Sequence, residues 1–170
     1  MNTKIYIIGG LASGKSFFAK KLSSKMGVEY FDMDRIVFKE NSYEERTGRE
    51  RNTIFGNVIK KDAWIVEGTF TEDWIIPGLE ASSQIIYLTT PALVRLHRFI
   101  KRILKQGILK QNHLFGRTKL VLGFKYKEWD RTAHTYEEVL RPHTHKVVTL
   151  KSKKEIQRFI TSQENFSRAH

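Results

Sequence analysis

The chain is predicted to fold as an α/β sandwich with a mostly parallel sheet. Short apolar runs that suit buried strands alternate with segments of helical periodicity along its 170 residues. This alternation is typical of parallel sheets covered by helices. The length fits one domain, and a hydrophobic content of 40% is sufficient for a core. We find no repeat, low-complexity tract or linker that would divide residues 1–170.

The first predicted strand, residues 4–8, is followed by the most informative motif in the chain. Residues 9–16 spell G-x-x-x-x-G-K-S, and the glycines of such a loop let backbone N–H groups converge on a polyphosphate. A helix predicted over residues 15–26 directs its positive end to the same place. We therefore expect Lys15 to reach the β- and γ-phosphates and Ser16 to bind Mg²⁺. The predicted nucleotide-binding set is Gly9, Gly10, Leu11, Ala12, Ser13, Gly14, Lys15, Ser16 and Phe17.

A second strand is predicted over residues 28–31, and an acidic pair, Asp32 and Asp34, ends it. Residues two apart on an extended strand point the same way, so both carboxylates are expected to face the phosphate site. Asp32 is predicted to hold Mg²⁺ through a water and, with Asp34, to orient the acceptor. Asp34 is predicted to accept a proton from an attacking hydroxyl or to bind the acceptor. The alternative is a solvated acidic turn.

The middle of the chain carries a third predicted strand with a polar end. Ser42 and Glu45 are expected to cap a helix that runs to about residue 60. The strand covers residues 63–66, and Glu67 follows it as a Walker-B-like carboxylate or an acceptor ligand. Gly68 is expected to let a substrate approach the backbone closely. A simple strand-to-loop turn explains this segment equally well.

A fourth strand is predicted over residues 84–88, followed by a two-faced helix over residues 92–106. Thr89 or Thr90 is expected to cap this helix, with Pro91 in its first turn. Its predicted apolar stripe consists of Leu93, Leu96, His97, Ile100 and Leu104, with His97 packed. A further helix is predicted over residues 125–140, a fifth strand over 145–150 and a last helix over 154–160, with a loose tail after Thr161.

The formal net charge is +12, and it is unevenly distributed. No acidic residue lies between Glu80 and Glu128, so a basic segment of almost fifty residues results. Phosphoryl transfer depends on positioning and charge stabilisation, which arginines supply well. The candidates on the helix are Arg95 for substrate binding and Arg98 and Arg102 for catalysis, with Arg117 and Arg131 behind them. The alternative is a solvated basic face.

Several classes of protein are disfavoured by composition. The chain has no cysteine, so disulfides and thiolate zinc sites are excluded. The histidines lack a convincing metal spacing. No signal peptide or membrane-spanning apolar run is visible. We therefore expect a cytoplasmic protein without membrane contact.

Four of these segments together resemble the small P-loop kinases of the adenylate-kinase-like type. They are residues 9–16, 32–34, 64–70 and 86–91, and they are most similar to the bacterial DNA topology modulation proteins. The resemblance implies a nucleotide-kinase-like P-loop NTPase fold, with a five-stranded parallel sheet between helices and a basic, mobile lid around residues 95–123.

The chain departs from that family at the end of the third strand. The family pattern there is W-V-I-D-G-N-Y, whereas Glu67 and Thr69 replace the Asp and Asn in this sequence. The pair Asp32 and Asp34 also resembles shikimate kinase, where such a pair binds Mg²⁺ and the acceptor hydroxyls. The glycine triplet expected after the third strand of that family is absent here.

The sequence thus predicts an ATP- and Mg²⁺-dependent phosphotransferase that acts on a small anionic or hydroxyl-bearing acceptor, with a nucleotide or nucleoside as first candidate. One alternative is a nucleotide-binding regulatory protein whose basic face contacts nucleic acid, although no nucleic-acid-binding module is visible. Another is a slow NTPase with water as its nucleophile. The motifs leave the acceptor, the choice of ATP or GTP, and the oligomeric state open.

Overall fold

The computed structural model describes residues 3–40, 44–109 and 135–168. Within these ranges a five-stranded, fully parallel sheet has the order β2-β3-β1-β4-β5. The strands are Lys4–Gly9 (β1), Tyr30–Asp32 (β2), Trp64–Gly68 (β3), Gln84–Leu88 (β4) and Val147–Leu150 (β5). This confirms the predicted α/β fold, and it places β1 at the centre of the sheet.

The helices of the described ranges lie on both faces of the sheet. They are Lys15–Met26 (α1), Met33–Val37 (α2), Gly48–Ile59 (α3), Ile76–Ala81 (α4), Ala92–Leu109 (α5), residues 135–140 (α6) and Lys153–Arg168 (α7). Two 3₁₀ helices cover Asp73–Ile75 and Arg141–Lys146. None of the helices in these ranges is long and apolar enough to cross a bilayer.

Alternating side chains of β1 enter two separate hydrophobic cores. Tyr6 and Ile8 pack with residues of α3, α4 and α6, while Ile5 and Ile7 pack with residues of α1 and α7. A strand buried on both faces requires a continuous apolar run, which explains why residues 5–8 are uniformly hydrophobic. The central strand therefore holds the start of the glycine-rich loop rigidly between two layers of helices.

Helix α1 has the bounds that the sequence predicts. Gly14, with φ 100°, precedes its first residue, and Gly27, with φ 65°, ends it in the left-handed conformation. Phe18 and Leu22 are fully buried on the face that meets the sheet. Burial of each such side chain stabilises the fold by roughly 1.5–3 kcal/mol.

The capping box predicted for α3 is wrong in its position. The helix begins at Gly48, and Thr47 and Glu50 form the box by reciprocal side-chain-to-backbone hydrogen bonds. Ser42 lies outside the described residues, and Glu45 forms an isolated antiparallel bridge with Phe38. The extended backbone at residue 45 excludes a helix start there.

The carboxyl-terminal part of the chain also differs from the prediction. Residues 141–146 form a 3₁₀ helix, so β5 is only four residues long. Helix α7 continues to Arg168, and the loose tail predicted after Thr161 is therefore wrong. The helix predicted over residues 125–140 is described only from residue 135, where it is helical.

The apolar stripe predicted on α5 is exposed to solvent. Leu93 is 81% exposed and Leu104 is 59% exposed. His97 is exposed as well, so the prediction that it is packed is wrong. Helix α5 contacts the glycine-rich loop through its arginines, as described below, and this contact determines which side of the helix faces the protein.

Candidate functional site

The glycine-rich loop lies at the carboxyl end of β1 and leads directly into α1. Three of its residues have positive φ: Gly9 at 152°, Ala12 at 57° and Gly14 at 100°. Ser13 N donates to Gly10 O at 3.2 Å and closes a turn inside the loop. A backbone of this kind forms a concave anion-binding nest at a helix N-terminus.

The two residues that end the motif differ strongly in exposure. Lys15 is only 6% exposed, and its Nζ donates to Gly10 O at 3.1 Å, so the ammonium group lies across the loop. Ser16 is exposed at the first turn of α1. Phe17, which was predicted to bind the nucleotide, is 71% exposed beside them.

Glu67 is the buried carboxylate of the site. It is 3% exposed and lies within β3, whereas the sequence placed it after the strand. Ser16, in the first turn of α1, interacts with its carboxylate. Burial raises the pKa of Glu67, and Asp32 and Asp34 raise it further, while Ser16 and Lys15 oppose the change. Three carboxylates, a hydroxyl and an ammonium group therefore interact at one place.

Asp32 and Asp34 lie near Glu67, but their backbone conformation differs from the predicted one. Asp32 ends β2, where it is the register partner of Glu67, and it caps α2 by accepting a hydrogen bond from Asp34 N at 2.9 Å. Asp34 lies in α2, so the prediction that both residues share one extended strand is wrong. Buried Met33 directs the chain into this short helix, because its side chain packs in the core.

Gly68 is buried against α2. A Cβ at Gly68 would lie 2.7 Å from Met33 Sδ, so this glycine makes room for Met33. The predicted contact between the Gly68 backbone and an acceptor stays a prediction.

Two arginines of α5 contact the glycine-rich loop. Arg98 Nη1 donates to Ser13 O at 3.0 Å, and it lies 3.4 Å from the position that a Cβ at Gly14 would take. Arg95 Nη1 lies only 1.9 Å from the corresponding position at Gly10. The predicted arginine candidates Arg95 and Arg98 are thus brought to the loop.

Neither the Thr89 nor the Thr90 hydroxyl caps α5, so the predicted helix cap is wrong. Thr90 Oγ1 donates to Ser13 O at 2.9 Å and so joins the start of α5 to the loop. Thr89 Oγ1 is buried with no hydrogen-bond partner among the described residues. Arg102 lies in α5, and the structure gives only its backbone. Arg117, Arg131 and residues 110–123 of the predicted lid lie outside the described ranges.

The sequence analysis missed Tyr136. Its hydroxyl donates to Thr69 O at 2.8 Å and lies 3.1 Å from Gly9 O. The ring is 2% exposed and packs against Tyr87 with a centroid distance of 5.6 Å. A tyrosine that precedes two glutamates in a helix carries no sequence signal for such a contact, which depends on how α6 meets the sheet.

Several oxygen atoms at the site are of the kind that a divalent cation prefers. Ser16, Asp32 and Glu67 offer hard oxygen donors, and such donors suit Mg²⁺. In the described part of the chain, no group of three His, Asp or Glu side chains is arranged to enclose a metal ion. Mg²⁺ in nucleotide sites usually retains water and phosphate ligands, so a complete protein cage is not required.

No protein-family pattern matches the chain as a whole. The chain is similar to the shikimate kinase of Actinobacillus succinogenes, with 24% identity over 169 residues that cover 86% of this chain and 93% of that protein. Its fold is similar to that of a shikimate kinase from Acinetobacter baumannii in complex with shikimate, with a TM-score of 0.58, 15% identity, and coverage of 97% of this chain and 92% of that one.

A second kind of kinase shares the fold. The deoxyadenosine kinase from M. mycoides with bound dCTP matches with a TM-score of 0.55 and 17% identity, covering 96% of this chain and 100% of that chain. These similarities confirm the predicted P-loop kinase fold and support a small P-loop kinase with shikimate-kinase-like features. The narrower resemblance to topology modulation proteins stays a prediction.

Proposed function

We propose that this protein is a Mg²⁺-dependent kinase that transfers the γ-phosphoryl group of ATP to a hydroxyl group of a small acceptor. The observation that carries the proposal is the convergence of Lys15, Ser16 and Glu67. The P-loop, the buried Lys15 ammonium group, and Ser16 with Glu67 all lie at the carboxyl ends of the adjacent strands β1 and β3. This edge is where open parallel sheets bind ligands.

The P-loop amides and Lys15 would bind the phosphates, and the triphosphate of ATP would lie along residues Gly9 to Phe17. Lys15 already lies across the loop, so its charge is positioned before any nucleotide arrives. Arg98 and Arg95 contact the same loop from α5. Arginine at this place would stabilise the charge that develops on the transferring group.

Ser16, with Asp32 and Glu67, would hold Mg²⁺. Burial raises the pKa of Glu67, and the neighbouring carboxylates of Asp32 and Asp34 raise it further. A cation bound beside Glu67 would favour its ionised form. Bound Mg²⁺ supplies neutralisation of the phosphate charge. The side chains that would coordinate Mg²⁺ all offer oxygen atoms, which are the ligands that this ion prefers.

The acceptor would approach from the side of α2. Asp34 is exposed at the start of this helix, and its carboxylate would take the proton of the attacking hydroxyl. The new bond forms between the acceptor oxygen and the γ-phosphorus. The bond from that phosphorus to the β–γ bridging oxygen breaks, and ADP leaves with the electron pair.

A nucleoside is the first candidate for the acceptor, and a nucleotide is the next. The exposed carboxylate of Asp34 lies on the acceptor side, and it would favour an uncharged hydroxyl compound over a phosphate. The fold shared with deoxyadenosine kinase supports the same class.

Shikimate is the third candidate. The similarity to the Actinobacillus succinogenes shikimate kinase extends over 86% of this chain, which is why shikimate belongs in any test. The sequence Glu67-Gly68-Thr69 in place of a glycine triplet argues against it.

Acceptor-stimulated ADP release tests the proposal. Purified protein with Mg-ATP is assayed against nucleosides, nucleoside monophosphates and shikimate, beside a Lys15→Ala variant and a matched Lys20→Ala control in the exposed part of α1. We expect stimulation by one acceptor class, loss in Lys15→Ala and retention in Lys20→Ala. ADP release that no acceptor stimulates would favour a slow NTPase. Nucleic-acid binding with a steep negative salt dependence, without turnover, would favour the regulatory alternative.

A further inference from the structure

The Tyr136 hydroxyl lies between two backbone segments of the site. It donates to Thr69 O at 2.8 Å and lies 3.1 Å from Gly9 O. Gly9 opens the P-loop at the end of β1, and Thr69 directly follows β3. A phenolic hydroxyl has one hydrogen, so the two carbonyl oxygens share it.

The position of this hydroxyl is set by the packing of its ring. The ring is 2% exposed, belongs to the core that contains Tyr6 and Ile8, and contacts the Tyr87 ring at a centroid distance of 5.6 Å and an angle of 51°. A buried ring has few alternative rotamers. The hydroxyl therefore acts as a fixed point to which the two carbonyl groups are held.

The two carbonyls belong to segments that meet the hydroxyl where regular structure ends. Gly9 is the last residue of β1, and its φ of 152° is a conformation open only to glycine in practice. Thr69 lies between β3 and the 3₁₀ helix that starts at Asp73, outside any regular element. The hydrogen bond to Gly9 O is buried and the one to Thr69 O is partly buried, so removal of the hydroxyl would leave both carbonyls without this donor, at a cost in free energy.

We propose that Tyr136 is a positioning residue that fixes the nucleotide-binding loop and the Thr69 segment relative to each other. The two carbonyls are 127 and 67 residues away in sequence, and each belongs to a different side of the site. A displacement of either side by a fraction of an ångström would lower the efficiency of transfer. The roles of the loop and of the Thr69 segment in catalysis rest on the proposed function. The contacts of the Tyr136 hydroxyl with both segments rest on the geometry alone.

Tyr136→Phe is the variant that tests this role, because it removes only the hydroxyl. Tyr87→Phe is the matched control: it removes the hydroxyl of the neighbouring ring and leaves the Tyr136 contacts in place. Amide hydrogen exchange is measured by mass spectrometry on ligand-free protein, for peptides that cover residues 9–14, residues 68–71 and α3. Calorimetry with Mg-ADP gives the dissociation constant of each protein.

In Tyr136→Phe we expect exchange to be about fivefold faster in both site segments, with α3 unchanged, since one buried hydrogen bond contributes a factor of that order. The dissociation constant for Mg-ADP should rise by about the same factor, while Tyr87→Phe matches the wild type in both measurements. A merely structural role would lower the midpoint of thermal unfolding without this selective change in exchange.

Equal exchange in the two variants, or faster exchange spread over all peptides, would overturn the proposal. A wild type that binds no Mg-ADP would instead contradict the proposed function, and the exchange measurement on ligand-free protein would still decide the role of Tyr136. The two failures are therefore distinguishable.

Discussion

The guanidinium group of Arg95 lies directly against the backbone of Gly10, so that a Cβ at Gly10 would be 1.9 Å from Arg95 Nη1. Gly10 does not have positive φ, and its backbone conformation is therefore open to other residues. The missing side chain matters because it leaves space for the arginine. The second glycine of the loop and an arginine of α5 are thus in direct steric contact.

Gly10→Ala is expected to displace Arg95 while the fold is kept, since only the end of a flexible side chain has to move. Gly10→Ala and Arg95→Ala should each lower acceptor-dependent kcat/KM by about 100- to 1,000-fold if Arg95 stabilises the transferring group as proposed, because the loss of one such donor costs a factor of this order. The double variant should be no worse than Arg95→Ala alone. Steady-state kinetics of the four proteins checks this, and strictly additive losses would show that the two positions act independently.

Glu67→Gln should make the folded protein more stable at neutral pH and less active. The sign follows from the pKa of Glu67, which burial raises above its ordinary value of 4.5 in the folded state. The folded protein then binds more protons than the unfolded chain, so this contribution to stability is present below pH 4.5 and is lost as the pH rises through the raised value.

Denaturant unfolding of wild type and Glu67→Gln across this pH window measures the effect. The free energy of unfolding of the variant minus that of the wild type should increase as the pH rises through the pKa of Glu67. Above that pH the difference should stay constant. Asp62→Asn, at an exposed position before β3, makes the same chemical change away from the site and is the control. Turnover of Glu67→Gln should fall by about 100-fold, since a metal-holding carboxylate is lost. A constant difference in stability at every pH would contradict the assignment.

Two glycines that look alike in the sequence should respond oppositely to alanine. Gly56 lies inside α3 with no atom within 4 Å of an added Cβ, so Gly56→Ala should stabilise the protein by about 0.5–1 kcal/mol. At Gly78 the Cβ would lie 2.4 Å from Phe55 Cζ, so Gly78→Ala should destabilise it by about 1–3 kcal/mol. Chemical denaturation gives both values, and changes of the same sign would show that the packing of α4 on α3 is misjudged.

The capping box of α3 should contribute measurably to stability. Thr47→Ala removes the side chain that accepts from Glu50 N and should lower the free energy of unfolding by about 1 kcal/mol. Thr53→Ala is the matched control, because it makes the same chemical change at an exposed position in the middle of α3. Alanine is the better helix former there, so this variant should be neutral or slightly more stable. A loss of equal size in both variants would contradict the role of the cap.

The parts of the fold that the sequence predicts well are those whose signal is local. An apolar run followed by the glycine-rich motif defines β1 and α1, and glycine at position 27 ends the helix where predicted. The strand Gln84–Leu88 also has its predicted bounds. Each of these elements is specified by residues within the element or immediately beside it.

Errors arise where two local signals compete. Both Ser42–Glu45 and Thr47–Glu50 have the spacing of a capping box, and the bridge between Phe38 and Glu45 decides between them. Asp34 follows Asp32 at strand spacing, but burial of Met33 starts a helix there. Long-range pairing and core packing make these choices, and neither is visible in a short window of sequence.

The sequence identifies the chemistry of the site but misses how the site is held together. The motif itself indicates Lys15 and Ser16, whereas the contacts of Arg95 and Arg98 depend on how α5 crosses the loop. The contact from Tyr136 to Gly9 spans 127 residues. Such distances in sequence are beyond any pattern of spacing.

Calorimetric titration of the protein with Mg-ATP tests the central claim most directly, with Lys15→Ala and Lys20→Ala titrated beside the wild type. The account predicts saturable binding with one site in wild type and Lys20→Ala, and its loss in Lys15→Ala at an unchanged midpoint of thermal unfolding. The same result for all three proteins, or no binding to folded wild type, would contradict it.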